Sequence, residues 1–327
     1  SVKYIITLLS YKKTLQVDSR EIPVYSLLPI WIVKLMDYRN LLPFFPILTF
    51  FLSLKLYFFS FDSIVVSSFA LSKNLSFLEY KTYVVIYLHS PMQYIWTHYD
   101  MYVYNLSWFK SILLRIISPL LQHWDKKMSI RANEIYANSN YTKTLGEKIY
   151  WYKNIKVMYP PIAKNLINVS VKAPKDYFVY FWRISNMIKH VDIIINAFFD
   201  LPYNLYVIGD WPDKEYCMSI ASKNVFFYPR LSHNKLFAIV QEAIWTISLG
   251  HESAGLSTME SLLLWVPVIA QWIWWSKEFI SYWFNGILIN TINQNQLQKS
   301  IYEMILLDVD RNKIKNSTQT YLEGQIL

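Results

Sequence analysis

The sequence predicts an α/β fold of two domains, each built on a parallel β-sheet, and three observations lead to that prediction. The chain has 327 residues, of which 54% are hydrophobic and only 17% charged, so it has enough apolar material for two cores. Short apolar runs alternate with helical segments, the pattern of parallel strands joined by crossover helices. The pattern restarts after a polar stretch at 165–176, which places the boundary between domains 1–172 and 173–327.

The N-terminal domain contains a long apolar segment that is unsuited to crossing a membrane. Residues 41–59 are interrupted by Pro43, Pro46 and Lys55, whereas a spanning helix needs about 20 consecutive apolar residues. We therefore expect an amphipathic or core helix there, and a peripheral membrane face is the alternative, because Lys and aromatic residues mix in this segment. The other predicted elements are a strand from residue 62, strands 82–91, 134–137 and 155–162, and a helix 108–130, with Asn138-Ser139 capping the next helix.

The C-terminal domain repeats the alternation more regularly. Strands are predicted at 177–184, 203–211, 224–232, 245–250 and 266–270, and helices at 191–201, 233–243 and from about Ser257. In parallel α/β sheets a ligand binds at the carboxyl ends of the strands. We expect such a site in a cleft between the two domains.

Charge and cysteine content narrow the class of partner. The net charge of +9 fits an anionic membrane surface or a nucleotide ligand. We expect no nucleic-acid partner, because no run of five or six basic residues, zinc-ligand spacing or RNA-binding signature occurs.

The single cysteine, Cys217, excludes a disulfide framework within the chain and fits a buried thiol in a reducing cytoplasm. Because the chain begins with Ser1 and shows no signal peptide, we expect that its true start is missing.

The segment GHESAGLSTMES, 250–261, is the densest polar cluster. Glu252 and Glu260 lie eight residues apart, with Gly255 between them and a helix expected to begin near Ser257. A glycine-containing loop at a helix N-terminus binds anions through backbone N–H groups. Carboxylates beside it would accept hydrogen bonds from sugar hydroxyls. Taken alone, such a glutamate pair is more often a solvated surface feature.

The surroundings of this cluster resemble the retaining glycosyltransferases of family 4, which have the GT-B fold of two Rossmann-like domains facing a cleft. That family carries E-x7-E, then a strand of the form G-x-P-V-I-A, matched here by the two glutamates and by WVPVIA, 265–270. WRISNMIK supplies Arg183 and Lys189 with one residue more than the usual spacing. GDWP, 209–212, and NVFFYPRLS, 224–232, resemble a turn and a nucleobase-lining segment of the family.

The N-terminal half resembles the same family. YLHSPMQYIW, 87–96, is similar to H-x-P-x-R-x-x-W, with Gln93 in place of the arginine. WDKKMSIRANEIYANS, 124–139, and YWYKNIKVMYPPI, 150–162, match two further family segments. The resemblance extends in order over about residues 35–310. The family's first strand and glycine-rich loop would precede residue 1, so the N-terminal domain is expected to lack them.

The resemblance implies roles for individual residues. Arg183 and Lys189 would hold the donor diphosphate and stabilise the leaving charge. Glu252 would bind the transferred sugar, Glu260 the ribose, and His89 the sugar or the acceptor. The implied catalytic set is His89, Glu252, Arg183 and Lys189. The implied donor-binding set is Arg183, Lys189, Gly209, Tyr228, Pro229, Glu252, Ser253, Ala254, Gly255, Leu256, Ser257 and Glu260. For His89, a capped loop histidine is an equally good interpretation.

Tryptophan stands where the resembling family has glycine. The chain has 13 Trp and only 6 Gly, about 2% against a usual ~7%. The family glycines fall on Trp151, Trp182, Trp211, Trp265, Trp274 and Trp275, whereas Trp96 and Trp124 fall on family tryptophans. Glycine would also fit at Trp108, Trp245, Trp272 and Trp283. We hypothesise that UGA codons, read as glycine by some bacteria, are printed as tryptophan at the six positions.

The closest family resemblance is to mannosyltransferases of O-antigen and capsule assembly. It implies GDP-mannose as donor, no cofactor and no metal, since no D-x-D motif occurs. The implied acceptor is a lipid-linked glycan at the inner face of the cytoplasmic membrane, with the enzyme bound peripherally there. Three alternatives stay open: a non-catalytic GT-B relative with genuine tryptophans, another GT-B enzyme such as a nucleotide-sugar 2-epimerase, and an integral membrane protein.

Overall fold

The structure is a computed structural model that describes thirteen stretches of the chain: residues 5–7, 13–17, 20–26, 38–58, 60–75, 82–129, 132–160, 166, 170–210, 213–250, 253–273, 275–307 and 309–314. By its contacts the chain divides into two units. Unit 1 comprises residues 1–137 and 142–156, and unit 2 comprises residues 138–141 and 157–327. The domain boundary that the sequence predicts at residue 172 stays a prediction.

Unit 1 is built on a four-stranded sheet of order β4-β5-β6-β7. Its strands are β4 (Ser63–Ser68), β5 (Tyr83–Leu88), β6 (Glu134–Ala137) and β7 (Lys156–Val157). The β4–β5 and β5–β6 pairs are parallel, as the alternation predicted. A smaller sheet of order β1-β3-β2 consists of β1 (Ile5–Thr7), β2 (Thr14–Val17) and β3 (Arg20–Ser26).

The helices of unit 1 pack on two apolar clusters. A 3₁₀ segment Tyr38–Phe44 leads into α1 (Phe45–Tyr57), and α2 (Tyr99–Asn105) and α3 (Trp108–Met128) follow. Helix α4 (Asn140–Tyr150) begins with two residues that are assigned to unit 2 and continues in unit 1. The predicted helices within 41–59 and at 108–130 are confirmed, with α3 ending two residues early. No helix in the described stretches is both long and apolar enough to cross a bilayer.

Unit 2 is built on a six-stranded sheet of order β10-β9-β8-β11-β12-β13. Every pairing in it is parallel. The strands are β8 (Tyr177–Phe181), β9 (Asn204–Ile208), β10 (Val225–Tyr228), β11 (Thr246–Ser248), β12 (Val268–Gln271) and β13 (Gly286–Ile289). All five residues of β8 are buried, because a central strand of a parallel sheet is covered on both faces.

The helices in the described residues of unit 2 connect and cover these strands. They are α5 (Asn186–Lys189), α6 (Val191–Ala197), α7 (Lys214–Ser219), α8 (His233–Gln241), α9 (Leu256–Leu263), α10 (Ser276–Phe279) and α11 (Gln294–Ile305). The largest apolar cluster lies under β8, β9 and β11, where α6 and α11 pack. The predicted helix from Ser257 is confirmed and begins at Leu256.

Several predicted strands are longer than the observed ones. Within the described part of the segment 155–162, only the two-residue β7 forms, and Pro160, which has no N–H to donate to a neighbouring strand, follows it. The segment 203–211 ends as a strand at Ile208, where Gly209 turns the chain. Apolar sequence therefore extends beyond the hydrogen-bonded ladder on the carboxyl side, where the candidate ligand residues lie.

Candidate functional site

Three neighbouring strands of unit 2 bring predicted site residues to one edge of the sheet. Trp182, after β8, donates its N–H to the Ile208 carbonyl at 3.1 Å, and Gly209, after β9, donates to the Tyr228 carbonyl at 3.1 Å. A Cβ atom at Gly209 would lie 1.9 Å from the Trp182 carbonyl oxygen. Only glycine therefore fits at 209, and this close approach aligns the loops that carry Arg183, Gly209 and Pro229.

Lys189 ends helix α5 beside the loop that follows β11. A Cβ atom at Gly250 would lie 2.1 Å from the Ile188 carbonyl oxygen, so this loop packs directly on α5. Lys189 is buried, and burial, together with the charge of Arg183, lowers the pKa of its ammonium group to about 7. The exposed Arg183 and the buried Lys189 thus lie close enough at this edge for their charges to interact, and their shared role in a diphosphate site stays a prediction.

The N-terminus of α9 lies at the end of the same loop. Gly255 adopts the left-handed conformation, φ 56° and ψ 47°, directly before Leu256. The buried Ser257 hydroxyl lies 3.1 Å from the Ser248 hydroxyl of β11, which holds the first turn of the helix against the sheet. The backbone N–H groups of this turn are those that an anion would contact.

Glu260 lies on α9, one turn after Ser257. Burial raises the pKa of its carboxyl group to about 7. In the described part of the chain no hydrogen bond or ion pair reaches this carboxylate. A half-buried carboxyl without a protein partner suits an acceptor for ligand hydroxyls. Its predicted companion Glu252 lies outside the described residues, as do His251, Trp211, Pro212 and Trp274.

The predicted helix cap, Asn138-Ser139, has a further role that the sequence did not reveal. Ser139 Oγ donates to the Ser253 carbonyl at 2.5 Å, and Asn138 Nδ2 donates to Ser253 Oγ at 3.2 Å. The two side chains therefore fix the loop that ends in Gly255. In the sequence these two residues are noticeable only as part of Ala137-Asn138-Ser139, which resembles a segment of the glycosyltransferase family.

Glu278 is a second residue that sequence reasoning missed. Its carboxylate accepts hydrogen bonds from the backbone N–H groups of Asn140 at 2.9 Å and Tyr141 at 2.8 Å, at the start of α4. The Tyr159 hydroxyl donates to the same carboxylate at 3.1 Å. The carboxylate thus satisfies helix N–H groups from across the chain, and sequence spacing carries no sign of such a contact.

Trp275 fills the space over the predicted anion site. A Cβ atom at Gly255 would lie 2.1 Å from an atom of the Trp275 ring, so the indole lies directly against this glycine. The ring is fully buried, and its Nε1 atom has no hydrogen-bond partner among the described residues. A buried N–H without an acceptor is costly, so an indole at 275 is poorly suited to its surroundings.

Three tryptophans adopt a backbone conformation that favours glycine. Trp151, Trp265 and Trp283 have φ of 56°, 61° and 66°. For a bulky side chain such values are outliers. In the described stretches, the other residues with positive φ that are not glycine are Asn154 and His190, both of types enriched there.

Trp265 occupies a position that helices usually give to glycine. Its N–H donates to the Leu262 carbonyl, and the N–H of Val266 donates to the Ser261 carbonyl, at 3.0 and 2.9 Å. These two bonds form a Schellman motif at the end of α9, with Trp265 as its left-handed residue. Trp182, by contrast, shows no positive φ. Structural signs of glycine thus occur at several tryptophans but not at every predicted one.

His89 lies in unit 1, directly after β5. Its Nε2 atom is 2.8 Å from Ser67 Oγ at the end of the neighbouring strand β4, and its ring packs edge-on against Tyr87. Burial lowers the pKa of the imidazole, which favours its neutral form. The predicted donor-binding residues within the described stretches all belong to unit 2.

Comparison with known proteins finds a family model that is similar to the C-terminal part of the chain. Residues 164–321 match the family model described as Glycosyl transferases group 1. None of the curated proteins matches the chain significantly.

Three solved structures have similar folds. HepE from Anabaena, in complex with UDP and glucose, is 16% identical, with a TM-score of 0.60 and coverage of 93% of this chain and 86% of that one. Sucrose-phosphate synthase from Thermosynechococcus elongatus is 12% identical, with a TM-score of 0.69 and coverage of 96% and 80%. A glycosyltransferase from Rickettsia africae is 13% identical, with a TM-score of 0.60 and coverage of 93% and 80%. The predicted GT-B fold of two Rossmann-like domains is confirmed.

Proposed function

We propose that this chain, whose C-terminal half carries a glycosyl transferases group 1 domain, is a retaining glycosyltransferase of family 4. It transfers a sugar, with mannose the first candidate, from a nucleoside diphosphate sugar to a lipid-linked glycan during cell-surface polysaccharide assembly. It works at the inner face of the cytoplasmic membrane. The observation that carries the proposal is the buried Lys189, packed beside the loop that leads to the N-terminus of α9.

The donor diphosphate binds where positive charge and free N–H groups are concentrated. Arg183 and Lys189 pair with the diphosphate oxygens, and the N–H groups after Gly255 donate to them. A bound anion also restores the charge of Lys189, whose pKa burial has lowered to about 7. Glu260 accepts hydrogen bonds from the ribose hydroxyls, and Glu252 from the transferred sugar. Tyr228 and Pro229 line the nucleobase.

Transfer proceeds by attack on the face from which the diphosphate leaves. The acceptor hydroxyl oxygen forms a bond to the anomeric carbon while the bond from that carbon to the diphosphate oxygen breaks. The acceptor proton passes to a phosphate oxygen of the leaving diphosphate, so the products are the glycoside and the nucleoside diphosphate. Arg183, Lys189 and the α9 N-terminus stabilise the leaving charge, which is where we expect most of the rate enhancement. His89 contacts the sugar or orients the acceptor, and no metal takes part.

In this proposal, the protein made in the cell has glycine in place of six tryptophans of the sequence: Trp151, Trp182, Trp211, Trp265, Trp274 and Trp275. The positive φ of Trp151 and Trp265 and the unpaired indole of Trp275 support glycine at three of these positions. Glycine at 275 would also uncover Gly255, against which the indole lies. The gene should therefore have UGA at the six positions and UGG at 96 and 124. UGG at all thirteen tryptophan codons would contradict recoding and favour a non-catalytic GT-B relative.

Nucleotide binding and transfer test the proposal. The chain is produced with glycine codons at the six positions, and GDP and UDP are titrated calorimetrically. GDP-mannose and UDP-glucose are then offered with a polyprenyl-diphosphate glycan, with and without EDTA. UDP-glucose is the competing donor, because solved structures of HepE contain UDP and UDP-glucose. We expect transfer from GDP-mannose that is insensitive to EDTA.

Matched variants locate the site. Glu260→Gln should weaken nucleotide binding about tenfold, because it removes an acceptor for two ribose hydroxyls. Glu303→Gln, which changes a surface glutamate paired with Lys299 on α11, should leave binding unchanged. If the glycine-containing chain binds neither nucleotide, the proposed function is wrong.

A further inference from the structure

We propose that Asp125 of α3 is a positioning residue for His89, the predicted catalytic residue of unit 1. Its buried carboxylate is the centre of a set of hydrogen-bonded side chains, the Asp125 network, whose other members are Lys73, Asn74, Trp96 and Tyr150. The proposal rests on the proposed function in one respect, because it is there that His89 contacts the sugar or the acceptor.

Both carboxylate oxygens of Asp125 are occupied by protein donors. Oδ1 accepts from Lys73 Nζ at 2.6 Å and from Asn74 Nδ2 at 2.7 Å. Oδ2 accepts from Trp96 Nε1 and from the Tyr150 hydroxyl, both at 2.8 Å. The side chains of Asp125 and Lys73 are both 0% exposed. The network is therefore closed to water, and each donor is held at a fixed point on the carboxylate.

The buried charge pair of Asp125 and Lys73 is a poor source of net stability. Removing two charges from water costs free energy that their mutual attraction offsets only in part. The hydrogen bonds do, however, fix direction, because each of them loses strength when its donor moves off the axis. We infer that the pair serves to hold the segments that supply its donors.

One arm of the network leads to the ring of His89 through the end of β4. Lys73 and Asn74 belong to the 3₁₀ turn that begins at Ser72. The Ser72 hydroxyl donates to the Ser67 carbonyl at 3.1 Å. The hydroxyl of Ser67 itself lies 2.8 Å from His89 Nε2. The turn that Asp125 anchors thus supports the residue that the imidazole contacts.

The other arm holds the segment that follows His89 after β5. Trp96 in this segment donates its indole N–H to Asp125. Gln122, on the preceding turn of α3, donates from Nε2 to the Ile95 carbonyl at 2.6 Å. Helix α3 therefore fixes the segment by two neighbouring side chains, one of which is Asp125.

The two arms meet at the edge of the sheet where ligands bind. His89 and Ser67 lie at the carboxyl ends of the parallel strands β5 and β4, and the His89 N–H donates to the Ser68 carbonyl at 2.8 Å. Ligands of parallel α/β sheets bind outside these ends. The position of both arms at this edge is what points to a role in the site.

The network requires a genuine tryptophan at 96. The indole N–H of Trp96 has a carboxylate acceptor at 2.8 Å, whereas that of Trp275 has no partner among the described residues. This agrees with the sequence comparison, in which Trp96 falls on a family tryptophan. None of the six positions proposed as glycine is a member of the network, so glycine there removes none of its hydrogen bonds.

Nuclear magnetic resonance of the histidine rings tests the proposal on the full chain with glycine at the six positions. The ring nitrogens of histidine are isotope-labelled, and their chemical shifts report the tautomer and the hydrogen bond of each imidazole. His89→Gln identifies the His89 signal. Ser72→Ala and Trp96→Phe each interrupt one arm, and Asp125→Asn removes the central charge.

We expect the His89 signal to move in each of these three variants, whereas the signals of His190 and His233 in unit 2 stay in place. Sugar transfer should fall about tenfold in kcat/KM in Trp96→Phe, because a displaced contact lowers the rate. The affinity of the same sample for GDP or UDP should not change, because the donor-binding residues lie in unit 2.

Two controls separate positioning from a loss of stability. Ser118→Ala removes a hydroxyl that donates within α3, to the Arg115 carbonyl at 3.4 Å, and Leu114→Ala removes a buried core side chain of the same helix. Neither should move the His89 signal, although Leu114→Ala should lower the melting temperature. If Asp125→Asn does not fold, because it leaves Lys73 buried without its counter-charge, Ser72→Ala and Trp96→Phe decide the question.

Two results would overturn the proposal. One is an unmoved His89 signal in both Ser72→Ala and Trp96→Phe, and the other is an equal shift in Leu114→Ala. An unmoved signal in variants of a chain that transfers sugar refutes positioning alone. A moved signal in a chain that binds neither nucleotide and transfers no sugar refutes the proposed function alone.

Discussion

Trp151 and Trp108 are similarly exposed, at 72% and 76%, but their backbones differ. Trp151 has φ 56° directly after α4, whereas Trp108 is the first residue of helix α3. A left-handed residue other than glycine carries about 1–2 kcal/mol of strain. Glycine at 151 relieves this strain but loses the cation–π contact with Lys126, whose Nζ lies 4.3 Å from the centroid of the Trp151 ring. Such a contact contributes about 0.5–1 kcal/mol.

We expect Trp151→Gly to leave a chain more stable than Trp108→Gly by about 1 kcal/mol, because glycine relieves left-handed strain at 151 and there is no such strain to relieve at 108. Urea unfolding of the two single variants measures this difference. A more stable Trp108→Gly chain would contradict glycine at 151.

Lys189 should make nucleotide binding depend on pH. Its pKa is about 7 in the free protein, so above pH 7 the amine is neutral and must take up a proton when it pairs with a diphosphate. Affinity should therefore be greatest below pH 7 and fall by up to about tenfold per pH unit above it. Lys189→Arg keeps its charge and should flatten this dependence. Calorimetric titration of GDP or UDP between about pH 6 and about pH 9 tests this pH dependence. If affinity falls with pH equally steeply in the unchanged chain and in Lys189→Arg, Lys189 is not its cause.

At the scale of secondary structure, Glu278 acts as a distant cap on α4. Its carboxylate accepts from two N–H groups in the first turn of that helix, where negative charge is favoured. Glu278→Ala should lower the free energy of unfolding by about 1–2 kcal/mol. The control Glu147→Ala, at an exposed position on the same helix, should change it by less than about 0.5 kcal/mol. Guanidinium unfolding compares them, and equal losses would exclude a cap.

At the scale of the whole molecule, the two units differ in which predicted ligand residues they carry. The donor-binding residues within the described stretches lie in unit 2, and each unit has its own apolar clusters. A ligand stabilises the state that it binds by RT ln(1 + [L]/Kd), about 2.7 kcal/mol at 100 Kd. GDP or UDP should therefore slow amide exchange more in β8–β12 than in β4–β6, as mass spectrometry of exchanged peptides would measure. Stronger protection in β4–β6 would place the nucleotide elsewhere.

The alternation of apolar runs and helices was sufficient to predict both parallel sheets. Strand 134–137 has the predicted bounds, and α3 and α9 lie within two residues of theirs. Burial on both faces of a parallel sheet leaves a continuous apolar run, which is visible without tertiary information. Strand ends were less predictable, because backbone partners such as those of Gly209 set them.

The sequence by itself determined the fold class, whereas the glycine positions among the tryptophans and the residues of the candidate site stay predictions from it. Tertiary structure alone decided which of these residues meet. The contact of Glu278 with α4 spans 138 positions, and the contact of Ser139 with the loop before α9 spans 114. The pKa of Lys189 depends on burial, which only the packing around α5 decides. Local pattern fixes the conformation of a segment, whereas long-range packing fixes its neighbours and the water that reaches it.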